Sequence, residues 1–73
     1  MDIELDVKGL SCPLPILRAK KALSEMASGQ ILVVHATDRG AWDDFDYFCQ
    51  NTGHRLEERL EADGVFTFKI QVR

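Results

Sequence analysis

Residues 55–72 read RLEERLEADGVFTFKIQV, and how this stretch is taken decides the fold. Phe66, Phe68, Ile70 and Val72 alternate with Val65, Thr67, Lys69 and Gln71, the two-residue period of a strand with one buried face. Asp63-Gly64 just before it is a tight-hairpin signal, since both central positions of such a turn need a left-handed backbone. The preceding RLEERLE is ambiguous, because Leu56 and Leu60 suit a helical stripe as well as a strand. The turn decides the matter: the last strand needs an adjacent partner, so residues 55–61 are expected to be a strand.

Working outward, Ile3, Leu5 and Val7 alternate with acids and Lys8, which predicts a first strand ended by Gly9. From Pro13 to about Ala27 the period changes to that of a helix, with Ile16, Ala19, Leu23, Met26 and Ala27 on one face and Gly29 as the stop. Residues 31–37, ILVVHAT, form a short apolar run rich in β-branched residues, as expected of a central strand. Asp38 is placed to cap a second helix over 39–51, with Trp42, Phe45, Phe48 and Cys49 as its buried stripe and Gly53 closing it. The order β-α-β-α-β-β predicts an α+β fold, a two-layer α/β sandwich in which a four-stranded mixed sheet carries both helices on one face. The other face should show Glu4, Asp6, Arg55, Glu57, Arg59, Lys69 and Gln71 to water. Residues 1–73 are expected to be one domain, with a core too thin for an internal substrate cavity.

A formal net charge of −3 and a pI near 5.2 argue against direct nucleic-acid binding, which needs a basic face. The start, MDIELDVKGL, lacks the basic region and apolar run of a signal peptide, and the apolar stretch Ile31 to Val34 is far too short for a membrane span. A cytoplasmic protein with no membrane attachment is expected, and a monomer. Two cysteines and two isolated histidines make neither a disulfide framework nor a zinc signature, so no metal and no cofactor is expected.

The chemistry centres on Cys12, in Cys12-Pro13-Leu14-Pro15. Proline suits a first helical turn, where its missing amide had no helical partner, so Pro13 and Pro15 are expected to build the helix start. Pro13 as first helical residue makes Cys12 the N-cap, its sulfur facing the positive helix end and the amides of Leu14, Ile16 and Leu17. The thiol pKa should then fall, aided by Arg18 and Lys21, and a persulfide anion should be stabilised likewise. Leu14 and Leu17 point away from the buried face and, with Arg18 and Lys21, form an expected partner-docking collar. No His, Asp or Glu has the spacing of a general base, and no Cys-x-x-Cys pair is present. Cys49 is expected to be a core residue, His54 to satisfy helix-end or backbone groups, and His35 to have no chemical role. A lone activated thiol suits carriage of a group by exchange with another protein's sulfur; a redox-sensitive regulatory or interaction module is the alternative.

The stretch LDVKGLSCPLP at 5–15, then Lys20-Lys21-Ala22-Leu23, Thr37-Asp38, Phe48-Cys49 and Thr52-Gly53-His54, resembles the TusA family of small sulfur-carrier proteins, also called SirA-like, over nearly the whole chain. The resemblance implies that Cys12 accepts sulfur as a persulfide from a donor such as a cysteine desulfurase or rhodanese and relays it to a downstream acceptor protein. It also implies a pathway among tRNA thiolation, molybdenum-cofactor sulfur supply, sulfur oxidation and selenium metabolism. Leu14 stands where the tRNA-thiolating members often have glutamate, and Arg39 where the family often has proline after the aspartate.

Overall fold

The computed structural model describes residues 2–73. Its elements are β1 (Asp2–Val7), α1 (Leu14–Ser24), β2 (Ile31–Ala36), α2 (Ala41–Thr52), β3 (Arg55–Ala62) and β4 (Val65–Gln71). The sheet runs β1-β2-β4-β3, with β1 parallel to β2 and the other neighbours antiparallel. The β-α-β-α-β-β order and mixed four-stranded sheet are those the sequence predicts. The two inner strands, β2 and β4, are the most apolar in sequence. Leu32, Val34, Ala36, Phe66, Phe68 and Ile70 bury one sheet face against Ala19 and Leu23 of α1 and Phe45 and Cys49 of α2. Phe45 and Phe68 stack with ring centroids 4.6 Å apart.

The β3–β4 hairpin closes as predicted, with Asp63 at φ 53° and Gly64 at φ 79°. Its register shifts between Leu56 and Glu58, so Glu57 is an extra residue on β3. Because side chains alternate with a period of two, one extra residue exchanges the faces of everything beyond it. This corrects the expectation for Arg59, which lies opposite the buried Phe68 rather than on the open face. There its guanidinium lies 4.2 Å from the centre of the Trp42 ring and donates to the Trp42 carbonyl at 3.0 Å, so the charged tip covers the rim of the core. Leu60 pairs with Thr67 and is exposed instead.

Both helices are shorter at one end than the sequence suggests. The chain leaves α1 after Ser24, where Glu25 and Met26 donate to carbonyls three residues back and the Ser24 hydroxyl donates to the Lys21 carbonyl. Ala27 is thus exposed in the following turn rather than on the buried stripe. Gly29, at φ 90°, donates to the Val72 carbonyl, which ties that turn to the chain end. Helix α2 begins at Ala41 with Gly40 as its N-cap and no side-chain cap, so Asp38 does not cap it; the Asp38 carbonyl, not its carboxylate, accepts the Ala41 amide. Gly53 closes α2 in the left-handed conformation expected, φ 84°.

Candidate functional site

Parallel pairing of β1 and β2 brings the loops after both strands to one end of the sheet. Residues 8–13 are anchored there: the Gly9 amide donates to Thr37 Oγ1 at 2.9 Å, and the Leu10 amide to the Val7 carbonyl at 3.2 Å. Cys12 leaves this loop as an exposed free thiol. The Cys12–Pro13 peptide is cis and the Leu14 amide donates to the Ser11 carbonyl at 2.9 Å, a closed turn just ahead of α1.

That turn corrects the capping expectation. Helix α1 starts at Leu14, its N-cap is Pro13, and Cys12 lies one residue before the cap with no side-chain bond into the helix. The Leu14 amide is used within the turn, and the Leu17 amide donates to the Pro13 carbonyl. Two of the amides expected to face the sulfur therefore have other acceptors. Pro13 and Pro15 do lie at the helix start, with Pro15 packed into the core.

The electrostatic expectation is overturned with it. Cys12 opens onto a groove of about 340 Å³ between the helices, to which α1 contributes Ile16 and Lys20 and α2 contributes Asp44, Tyr47, Phe48 and Asn51. The Cys12 thiol is pushed up, first by hydrogen bonding toward the Asp44 carboxylate, then by desolvation and by the charges of Asp44 and Asp38. The lowering expected from the helix start does not prevail, because the Leu14 and Leu17 amides have other acceptors and the groove onto which Cys12 opens holds Asp44 but neither Arg18 nor Lys21. A persulfide anion at this place meets the same negative charge.

Of the expected collar, Leu14 and Leu17 are exposed, 41% and 51%, and Arg18 and Lys21 are exposed on α1. The cation that lines the groove with Cys12 is Lys20. Sequence spacing along α1 could not select among the three basic residues, because the groove is made by a second helix. Asp44 was missed for the same reason: 32 positions separate it from Cys12 in sequence, and it stands in the first turn of the other helix. Tyr47 is an exposed aromatic lip, 71% accessible.

The groove continues past Lys20 and Phe48 into a second cleft of about 310 Å³ bounded by Leu23, Thr52, His54 and Arg73. His54 Nδ1 accepts the Arg73 amide at 3.3 Å, the backbone role expected of it; burial, then the charge of Arg73, holds its pKa below the ordinary range. His35 lies on the open sheet face, its Nε2 2.8 Å from Glu4 Oε1 and its Nδ1 3.3 Å from Thr67 Oγ1. Cys49 is buried in the core, where desolvation and then the charge of Asp46 push its thiol up to about 11. Trp42 and Phe48 are only half-buried, and Phe48 lines both clefts. No helix among the described residues is long and apolar enough to cross a membrane.

Comparison with known proteins agrees with this architecture. The family model described as Sulfurtransferase TusA matches residues 3–72. A candidate sulfur carrier protein of Neisseria meningitidis serogroup A is 61% identical over 67 residues, covering 92% of this chain and 90% of the relative. Sulfur carrier protein TusA of Allochromatium vinosum is 57% identical over 70 residues, 96% and 92% of the two chains. The crystal structure of a SirA-like protein from Desulfitobacterium hafniense superposes with a TM-score of 0.85 at 32% identity, over 97% of this chain and 96% of that one.

Proposed function

This chain belongs to the TusA family and is a sulfur carrier, and from that premise we propose that it carries sulfur as a persulfide on Cys12 and passes it to a thiol of a partner protein. One observation supports Cys12 above all: it is an exposed thiol at the mouth of an open groove, whereas the second thiol, Cys49, is sealed in the core. Sulfur exchange needs three sulfur atoms nearly in line, those of the attacking thiolate, the transferred atom and the leaving thiolate. With Cys12 exposed at an open groove, this alignment is reached at the surface, where the partner can bring its own cysteine against the carrier's.

In loading, the Cys12 sulfur attacks the outer sulfur of a donor hydropersulfide. A new S–S bond forms at Cys12, the donor's S–S bond breaks, and the donor leaves as a thiol. No electron is gained or lost overall, so no cofactor is required. Delivery is the same exchange with an acceptor thiol attacking the Cys12 persulfide. The donor is of the cysteine desulfurase or rhodanese class, and the cytoplasm, which keeps thiols reduced, is the compartment in which Cys12 is available for it. Partners rest on Leu14, Leu17, Arg18 and Lys21 on the outer side of α1, beside the groove.

Peptide mapping by mass spectrometry after incubation with a persulfide-loaded donor tests the assignment. The peptide holding Cys12 should gain the mass of one sulfur atom, and Cys12→Ser should gain none. Sulfur recovered on Cys49, or on neither cysteine, would refute it.

A further inference from the structure

Among the described residues Asp44 is the only carboxylate lining the groove into which Cys12 opens. Its place is fixed from below, because its amide donates to the Gly40 carbonyl at 3.0 Å in the first turn of α2. It is half-buried and, among the described residues, forms no salt bridge; Lys20, on the opposite lip, does not come within ion-pairing distance. A carboxylate in the first turn of α2 suits the helix dipole, but that role does not require it to line the groove of Cys12. We propose that Asp44 is the proton partner of Cys12, taking the thiol proton as sulfur is transferred and passing it to the thiolate that leaves. This rests on the reading that Cys12 carries the persulfide.

The exchange balances as follows. As Asp44 accepts the Cys12 proton, the freed electron pair on sulfur attacks the outer sulfur of a donor hydropersulfide, R–S–SH. The donor's S–S bond breaks, its electron pair leaves on the inner sulfur, and the proton on Asp44 passes to that sulfur. Cys12–SH and R–S–SH thus become Cys12–S–SH and R–SH, with Asp44 ionised again. Delivery runs the same steps backwards, with the acceptor's thiol giving its proton to Asp44 and Cys12 receiving it. A carboxylate is a weaker base than a thiolate by roughly four to five pK units, so the proton is shared within the transfer step and does not rest on Asp44 beforehand. In the resting carrier the proton therefore stays on Cys12, in keeping with a thiol pushed up by Asp44. The other charged or titratable groups toward the sulfur are Lys20 from α1, Tyr47 from α2 and Asp38 from the connection before α2.

Glutathione hydropersulfide is a suitable probe donor, with loading of Cys12 followed in the wild type, Asp44→Asn, Asp44→Glu and the control Asp43→Asn, a neighbour outside the groove. Alkylation by iodoacetamide is measured across pH on the same proteins. In Asp44→Asn the alkylation midpoint should move to lower pH and alkylation near neutrality should quicken, while sulfur loading slows by about tenfold or more. Asp44→Glu should recover most of the loading, and Asp43→Asn should match the wild type in both assays. Loading of Asp44→Asn at the wild-type rate or faster overturns the role of Asp44 alone, as does an equal loss in both assays. Wild-type loading on Cys49 overturns the reading of Cys12 and this proposal with it.

Discussion

The two cysteines sit in opposite surroundings and yet both hold their protons tightly. Cys49, on the inner face of α2, is pushed up to about 11 mainly because the core cannot solvate a thiolate. Cys12 is exposed, in the turn between β1 and α1, and is pushed up mainly by the Asp44 carboxylate across the groove. The first cause is permanent as long as the protein is folded. The second depends on one side chain at an open surface and can be altered by whatever docks there. Both thiols are shifted in the same direction; access separates the two residues, and the source of the proton's hold decides which can be relieved.

The widest expected difference is in native-state labelling. Iodoacetamide should modify Cys12 at least about a thousandfold faster than Cys49, because Cys49 reacts only when the core opens, at a cost approaching the stability of the whole fold. Time-resolved peptide mass spectrometry reads both rates in one sample, and rates within tenfold of each other would erase the contrast.

A smaller effect sharpens the same contrast through stability. The folded-state pKa of Cys49 lies above that of the unfolded chain, so the unfolded state loses its proton first as pH rises. Its contribution is complete below the unfolded value of about 8.5 and is lost as pH climbs through about 11, amounting to ~3 kcal/mol at most. Urea unfolding at pH 8 and pH 11 should show that much of the alkaline decline missing in Cys49→Ala and retained in Cys12→Ser. Equal declines in all three proteins would assign the alkaline loss to other groups.

The smallest effect concerns the rim of the exposed thiol. Lys20→Glu should change protein-to-protein sulfur transfer by about two- to fivefold at low salt, as for a single surface charge, and the effect should fade as salt is added. Arg18→Glu with Lys21→Glu should slow transfer with the same salt dependence while leaving alkylation of Cys12 nearly unchanged. Stopped-flow transfer over a salt series compares them. A loss in alkylation equal to that in transfer would mean that these cations tune the sulfur rather than meet a partner.

Local pattern determined the elements and their order. Alternation in residues 2–8 and 65–72, the β-branched run at 31–37, the Asp63-Gly64 turn and Gly53 each act within a few residues of themselves, and the structure keeps all of them. The exposure of Cys12 and the burial of Cys49 were legible for the same reason, one lying outside the helical pattern and the other on its apolar stripe. Three features came only with the three-dimensional structure. The extra residue Glu57 turned Arg59 onto Trp42 because register is set by the partner strand, not by the strand's own sequence. The turn at Ser11–Leu14 took the amide that a capping thiol would have used. The third is the environment of Cys12 itself, made when α2 packs beside α1 and brings Asp44 to a sulfur 32 residues away; a thiol's charge depends on what lies within a few ångströms, and that neighbourhood is set by packing between elements.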